Sequence, residues 1–183
     1  MLTLVWHRDW TEGTFSMELE PVDLLTADRE TVLLYVDGLL VGESNWVATM
    51  ANLSAVLHEA LGQVNWTGFY VMADSGRELI VGPFQGKVAC TRIAVGSGVV
   101  GTAARDRTTV LVPDVHAFPG HIACDSASRS EIVVPILNET GDVVAVIDVD
   151  SPEPDRFHEG EALLLEAVAE RVAGCWPPGF YQP

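Results

Sequence analysis

Cys124 stands in the run Asp114-Val115-His116-Ala117-Phe118-Pro119-Gly120-His121-Ile122-Ala123-Cys124-Asp125, a thiol set among two histidines and two aspartates. Pro and Gly make the run too irregular for a helix or strand, and loops carry chemistry more often than packing. Glu131 opens an apolar run a few residues later, and Asp148 and Asp150 end another. A thiol near several carboxylates suggests redox or acid-assisted sulfur chemistry. The thiolate is the nucleophile, and a free cysteine titrates near ~8.5. Carboxylates beside Cys124 raise that value, whereas a histidine or a bound ammonium lowers it. The local acidity therefore suits a substrate that is itself an amino acid, whose ammonium offsets the carboxylates. The competing reading of Cys124 is an ordinary buried or exposed cysteine.

The other candidates carry paired readings. Cys90, in Gly86-Lys87-Val88-Ala89-Cys90, falls on an expected strand. It is either a small hydrophobe in the core or a resolving thiol that attacks an oxidised Cys124. Cys175, in the tail, reads as structural or incidental. Asp148 and Asp150 lie two apart on a strand and so share a face; they are either a solvated strand end or part of a site. Glu131 starts a strand expected to be central. If the three acids meet, burial and mutual repulsion leave one protonated near neutral pH, able to act as a general acid. His116 and His121 either orient the site or are hydrogen-bonded loop residues. Trp66 and Tyr70, four apart on one strand face, wall an apolar pocket or pack in the core. Gly96-Ser97-Gly98-Val99-Val100-Gly101 matches G-x-G-x-x-G, but it sits mid-chain outside a βαβ unit and is discounted as a dinucleotide motif.

The elements that must position these residues are legible in outline. A helix start at Thr26, with Glu30 near the capping-box position, precedes apolar residues at helical spacing up to Gly42. Ser44 is placed to cap a second helix ending near Gly62. Strands are expected over 66–72, 78–81, 88–95, 108–112, 131–137 and 143–149. A short helix over 99–105 and the long loop before residue 130 interrupt them, and an amphipathic helix over 159–173 closes the chain. This order is α+β: a six-stranded antiparallel sheet, terminal helices on one face and a ligand-enclosing loop on the other. Residues 1–16 read as an extension or as a start placed too early, with Met17 opening a helix-like acidic stretch. Residues 17–176 form one domain and 177–183 a short tail.

Composition excludes several classes. The 183 residues carry 26 acidic and 10 basic side chains, a formal net charge of −16. Such a field repels phosphate backbones and anionic membranes, so neither nucleic acid nor a membrane is an expected partner. No stretch approaches the ~20 apolar residues of a membrane span, and the amino terminus lacks a signal-peptide pattern. Three cysteines without a secretion signal suit a reducing cytoplasm, and their spacing suits neither a disulfide framework nor a zinc site.

Five segments taken together resemble the free methionine-R-sulfoxide reductases, which are GAF-domain enzymes. They are Asn65-Trp66-Thr67-Gly68-Phe69-Tyr70, Gly82-Pro83-Phe84-Gln85-Gly86-Lys87-Val88-Ala89-Cys90, the 116–125 loop, Ser130-Glu131-Ile132-Val133-Val134-Pro135 and Asp148-Val149-Asp150-Ser151. The likeness runs from about Gly42 to the closing helix. It implies that Cys124 attacks the sulfoxide sulfur of free methionine sulfoxide, leaving a sulfenic acid that Cys90 condenses to a disulfide for thioredoxin to reduce. It also implies that Glu131, Asp148 and Asp150 hold the ammonium and polarise the sulfoxide oxygen, and that Trp66 and Tyr70 form the aromatic pocket. No cofactor is implied, and a homodimer is compatible with the sequence, which does not set the oligomeric state. One departure stands out: the family's third cysteine, in Gly-Val-Cys-Gly, is Val100 here, so Cys90 is left as the resolving thiol. The alternatives are a GAF-type small-molecule sensor without catalysis and a regulatory interaction domain.

Overall fold

Residues 23–122 and 125–176, with the backbone of 5–9 and 14–18, are described by a computed structural model. The chain runs β1 (Val5–Asp9), β2 (Thr14–Glu18), α1 (Arg29–Leu40), α2 (Trp46–Leu61), β3 (Trp66–Met72), β4 (Glu78–Gly86) and β5 (Arg92–Ala94). It continues through α3 (Gly98–Asp106), β6 (Val110–Val112), a 3₁₀ turn (Val115–Ala117), β7 (Ser130–Leu137), β8 (Val143–Ser151) and α4 (Glu159–Cys175). β1 and β2 pair with each other, and the other strands form one sheet in the order β5-β4-β3-β8-β7-β6. Every neighbouring pair in that sheet is antiparallel. This is the expected α+β architecture.

The sheet is buried on both faces at its centre, which is why β7 and β8 read as apolar runs rather than alternations. Phe69, Ile132, Val134, Ile147 and Val149 point to one face, where α1, α2 and α4 supply Val36, Leu53, Leu57, Leu165 and Val168. Each fully buried side chain of this kind contributes about 1.5–3 kcal/mol. The opposite face carries Tyr70, Val133 and Val146, covered only in part by Val99, Val100 and Ala103 of α3. The gap that α3 leaves is the site. Between α2 and α4, the Arg156 guanidinium donates to the Leu61 and Gly62 carbonyls and to Glu161 Oε1 at 2.8 Å, so one side chain ties two helices together.

Several expected boundaries move, for identifiable reasons. α1 is capped by Asp28, whose carboxylate accepts from the Thr31 amide at 2.8 Å; Thr26 lies instead in a turn closed on the Asp23 carbonyl. Asn45, not Ser44, caps α2, because its side-chain oxygen reaches both the Val47 and Ala48 amides. β4 extends past Val81 to Gly86 by placing Gly82 and Pro83 opposite Phe69 alone. The missing proline amide thus falls in a bulge. The expected strand over 88–95 shrinks to Arg92–Ala94, so Cys90 is not on a strand. Gly86, at φ +123°, swings the chain off the sheet, and residues 87–91 form an irregular segment above it. Met17 and Glu18 end β2 rather than opening a helix, and residues 19–22 lie outside the described residues. Among the described residues no helix is long and apolar enough to cross a membrane.

Candidate active site

Strand register assembles the acids. In β8, Asp150 lies opposite Trp66 of β3 on one side and Glu131 of β7 on the other; Asp148 lies opposite Gly68 and Val133. Directly opposed residues share a face, so Trp66, Asp150 and Glu131 form a row on the open side of the sheet. Asp148 sits one pleat along, beside Tyr70. Gly68 matters because a Cβ there would meet Phe84 Cβ at 2.4 Å and Trp66 Cη2 at 2.8 Å. Its bareness lets the Trp66 ring lie over the strand. Trp66 stacks with Tyr70 at 5.7 Å between centroids and with Phe84 at 5.1 Å.

Trp66, Tyr70, Glu131, Asp148 and Asp150 line one cavity together with Val88 and Ala89, Val99 and Val100 of α3, and His121 and Ile122. Its floor is acidic and nearly dry: Glu131 is 7% exposed and Asp148 5%. Burial, then the charges on Asp148 and Asp150, push the Glu131 carboxyl well above the ordinary range. Burial, then Asp150, does the same to Asp148. Asp150 is raised to about 7 by burial, against a hydrogen bond from Ser128 and with a further push from Asp125. Asp148 Oδ1 is buried with no hydrogen-bond partner among the described residues. An unpaired acceptor of that kind costs about 1–3 kcal/mol unless a ligand satisfies it. Burial first, then the same three acids, keeps the Tyr70 phenol protonated far beyond neutral pH.

The rim is a polar latch. Asp125 accepts from Lys87 Nζ at 3.3 Å (Oδ1), from Asn65 Nδ2 at 3.2 Å and from the Ala127 amide at 3.0 Å. These bonds hold its carboxyl below the usual carboxylate range. Asn65 also donates to Ser128 Oγ at 3.1 Å. Trp66 Nε1 donates to the Lys87 carbonyl at 3.2 Å, and the Tyr70 hydroxyl to the Cys90 carbonyl at 3.1 Å.

The fold therefore brings together Glu131, Asp148, Asp150, Trp66 and Tyr70. Asp148 and Asp150 are not a solvated strand end. Cys90 is half-buried above this floor and disulfide-bonded. Cys124 lies outside the described residues. His121 lines the cavity as an imidazole whose pKa is lowered by burial and by His116; His116 itself is exposed in the 3₁₀ turn. Cys175 is free and exposed at the end of α4, which packs on the other face. Sequence reasoning passed over Asn65, Lys87, Asp125 and Ser128 as a unit, since nothing in their spacing indicates that three separate segments meet. A cluster with protons shared among three acids, beside stacked aromatic rings, can hold an ammonium, donate a proton to an oxygen and shelter an apolar group.

The chain matches the family model described as GAF domain over residues 22–176. It is 45% identical over 148 residues to the free methionine-R-sulfoxide reductase of Saccharomyces cerevisiae, covering 78% of this chain and 82% of that protein. It is 47% identical to the Escherichia coli protein of the same name, over 73% of this chain and 80% of that one. The X-ray structure of the Neisseria meningitidis free methionine-R-sulfoxide reductase in complex with its substrate superposes with a TM-score of 0.78. It is 43% identical and covers 82% of this chain and 91% of that one. With its six-stranded sheet and its acid cluster beside paired aromatic rings, the chain belongs to the GAF-domain free methionine-R-sulfoxide reductases.

Proposed function

We propose that this protein reduces free L-methionine (R)-S-oxide to L-methionine, with Cys124 as nucleophile, Cys90 as resolving thiol and thioredoxin as reductant. The observation that carries the reading is the triad of buried Glu131 and Asp148 with half-buried Asp150, facing the Trp66–Tyr70 pair in one cavity. The zwitterionic substrate brings an ammonium that pairs with the ionised member of the triad and satisfies Asp148 Oδ1. Its methyl sulfoxide end lies against the rings. A bulkier peptide would have to insert backbone past the Lys87–Asp125 latch, which favours the free amino acid.

Glu131, kept protonated by burial and its acidic neighbours, supplies the proton to the sulfoxide oxygen as the Cys124 sulfur attacks the substrate sulfur. The hydroxyl then passes from the substrate sulfur to the Cys124 sulfur as the substrate S–O bond and the transient bond between the two sulfurs break, so methionine leaves and Cys124 becomes a sulfenic acid. The Cys90 thiol then attacks that sulfur, water departs and a disulfide forms. A dithiol reductant returns both thiols. The disulfide at Cys90 and the absence of a third thiol at Val100 support this two-cysteine cycle.

The test is an assay of the purified protein with separated R and S free methionine sulfoxides, thioredoxin and its reductase. Methionine is expected from the R form alone. Without reductant, two thiols are lost per protein for each methionine released. Absence of methionine with either diastereomer would sink the assignment.

A further inference from the structure

We propose that the Tyr70 hydroxyl, aided by the Trp66 ring nitrogen and the Lys87 ammonium, is a positioning group for Cys90 in the disulfide-forming step. The inference rests on the functional reading above and gives Tyr70 and Trp66 a second role beyond lining the cavity. Its starting point is that Cys90 is carried by no helix or strand: the chain leaves β4 at Gly86 and re-enters the sheet only at Arg92. The Val81 amide of β4 donates to the Thr91 carbonyl at 3.0 Å; residues 87–90, short of that bond, must be held by something other than a backbone ladder, because a free loop samples many conformations.

Besides the disulfide at Cys90, three polar ties do this, and none of them involves the sulfur. Trp66 Nε1–H donates to the Lys87 carbonyl at 3.2 Å, and the Tyr70 hydroxyl to the carbonyl of Cys90 itself at 3.1 Å. Lys87 Nζ lies 3.2 Å from Asp125 Oδ2, joining the Cys90 segment to the residue that follows Cys124 in the chain. Both aromatic side chains are almost fully buried, Tyr70 at 2% and Trp66 at 4% exposed, so their donors are rigidly placed. Burial and the three acids also keep the Tyr70 phenol protonated at any working pH, so the donor persists. The reaction governed is Cys124–SOH plus Cys90–SH giving the Cys90–Cys124 disulfide and water. Misplacing a reacting group by about 1 Å can cost about 100-fold, so a fixed Cys90 carbonyl bears directly on this rate.

The experiment separates the two steps in a single turnover of reduced protein, following methionine release and thiol loss by rapid quench. A parallel run uses hydrogen peroxide in place of the sulfoxide, which forms the sulfenic acid without the methionine chemistry. Tyr70→Phe keeps the ring and removes the donor. Its ratio of disulfide formation to methionine release is expected to fall about tenfold, with sulfenic acid trapped by a dimedone probe in proportion. Lys87→Met lowers the same ratio about threefold, as befits a half-exposed ion pair, and Lys87→Arg restores it. An unchanged ratio in Tyr70→Phe overturns the proposal, and so does an equal slowing of both steps. If Tyr70→Phe does not fold, the Lys87→Met and Lys87→Arg pair decides by the same ratio. A wild type that forms its disulfide with peroxide yet releases no methionine from the sulfoxide sinks the functional reading and leaves the positioning result standing.

Discussion

Asp150→Asn should make the protein more stable above neutral pH, and the size of the gain can be worked from the site. The Asp150 carboxyl is held at about 7 in the folded chain, against 3.8 for an unperturbed aspartate. Between those values the folded state binds a proton that the unfolded state has released. The stability this proton contributes therefore falls as pH rises through this window and is lost in full above about 7. The slope is at most about 1.4 kcal/mol per pH unit, so three units set a ceiling of about 4 kcal/mol. Asp150 is only half-buried, and solvent screening brings the working figure to about 2 kcal/mol. Glu131 and Asp148 are raised chiefly by burial, which Asn at 150 leaves in place. Urea unfolding of the thiol-reduced proteins between pH 5 and 8 makes the measurement. The variant should lead by a little under 1 kcal/mol at pH 5 and by about 2 kcal/mol at pH 8. A wild type that gains stability across this range relative to Asp150→Asn, or a variant that declines in parallel, would refute the electrostatic account of the triad.

Cys124→Ser should abolish turnover, whereas Cys90→Ser should release one methionine per protein and then stall; full thioredoxin-linked activity in Cys124→Ser would mean the wrong nucleophile. Glu131→Gln should slow single-turnover methionine release about 100-fold or more, the usual scale of a lost general acid. An unchanged rate there excludes Glu131 as the proton donor. Arg156→Met should lower stability by about 2–3 kcal/mol, because the Leu61 and Gly62 carbonyls lose a charged donor and Glu161 loses its partner. Its urea midpoint should drop while kcat stays within threefold of wild type.

Element types were readable because the physics behind them is local. Apolar spacing marked the helices, and alternation or short apolar runs marked most strands. Helix starts were harder to place, because neighbouring side chains compete to cap the same amides. Asp28 over Thr26 and Asn45 over Ser44 were decided by which oxygen reached those free N–H groups. The alternation over 88–95 was a false strand signal, since Gly86 turns the backbone away and two buried side chains from β3 claim the segment's carbonyls.

Period-two geometry alone put Asp148 with Asp150, and Trp66 with Tyr70, on common faces. The sequence also carried the redox chemistry in its cysteines, and the separated motifs that Cys90, Cys124 and Glu131 share with a known family. It could not say that three strands distant in the chain would register to put Glu131, Asp150 and Trp66 in one row, because register depends on pairing across the sheet. Nor could it say that α3 would stop short of covering that row, leaving buried carboxyls with raised pKa values instead of a solvated strand end. Proton affinity is set by desolvation and by neighbours in space, and both arise only when the chain has closed around them.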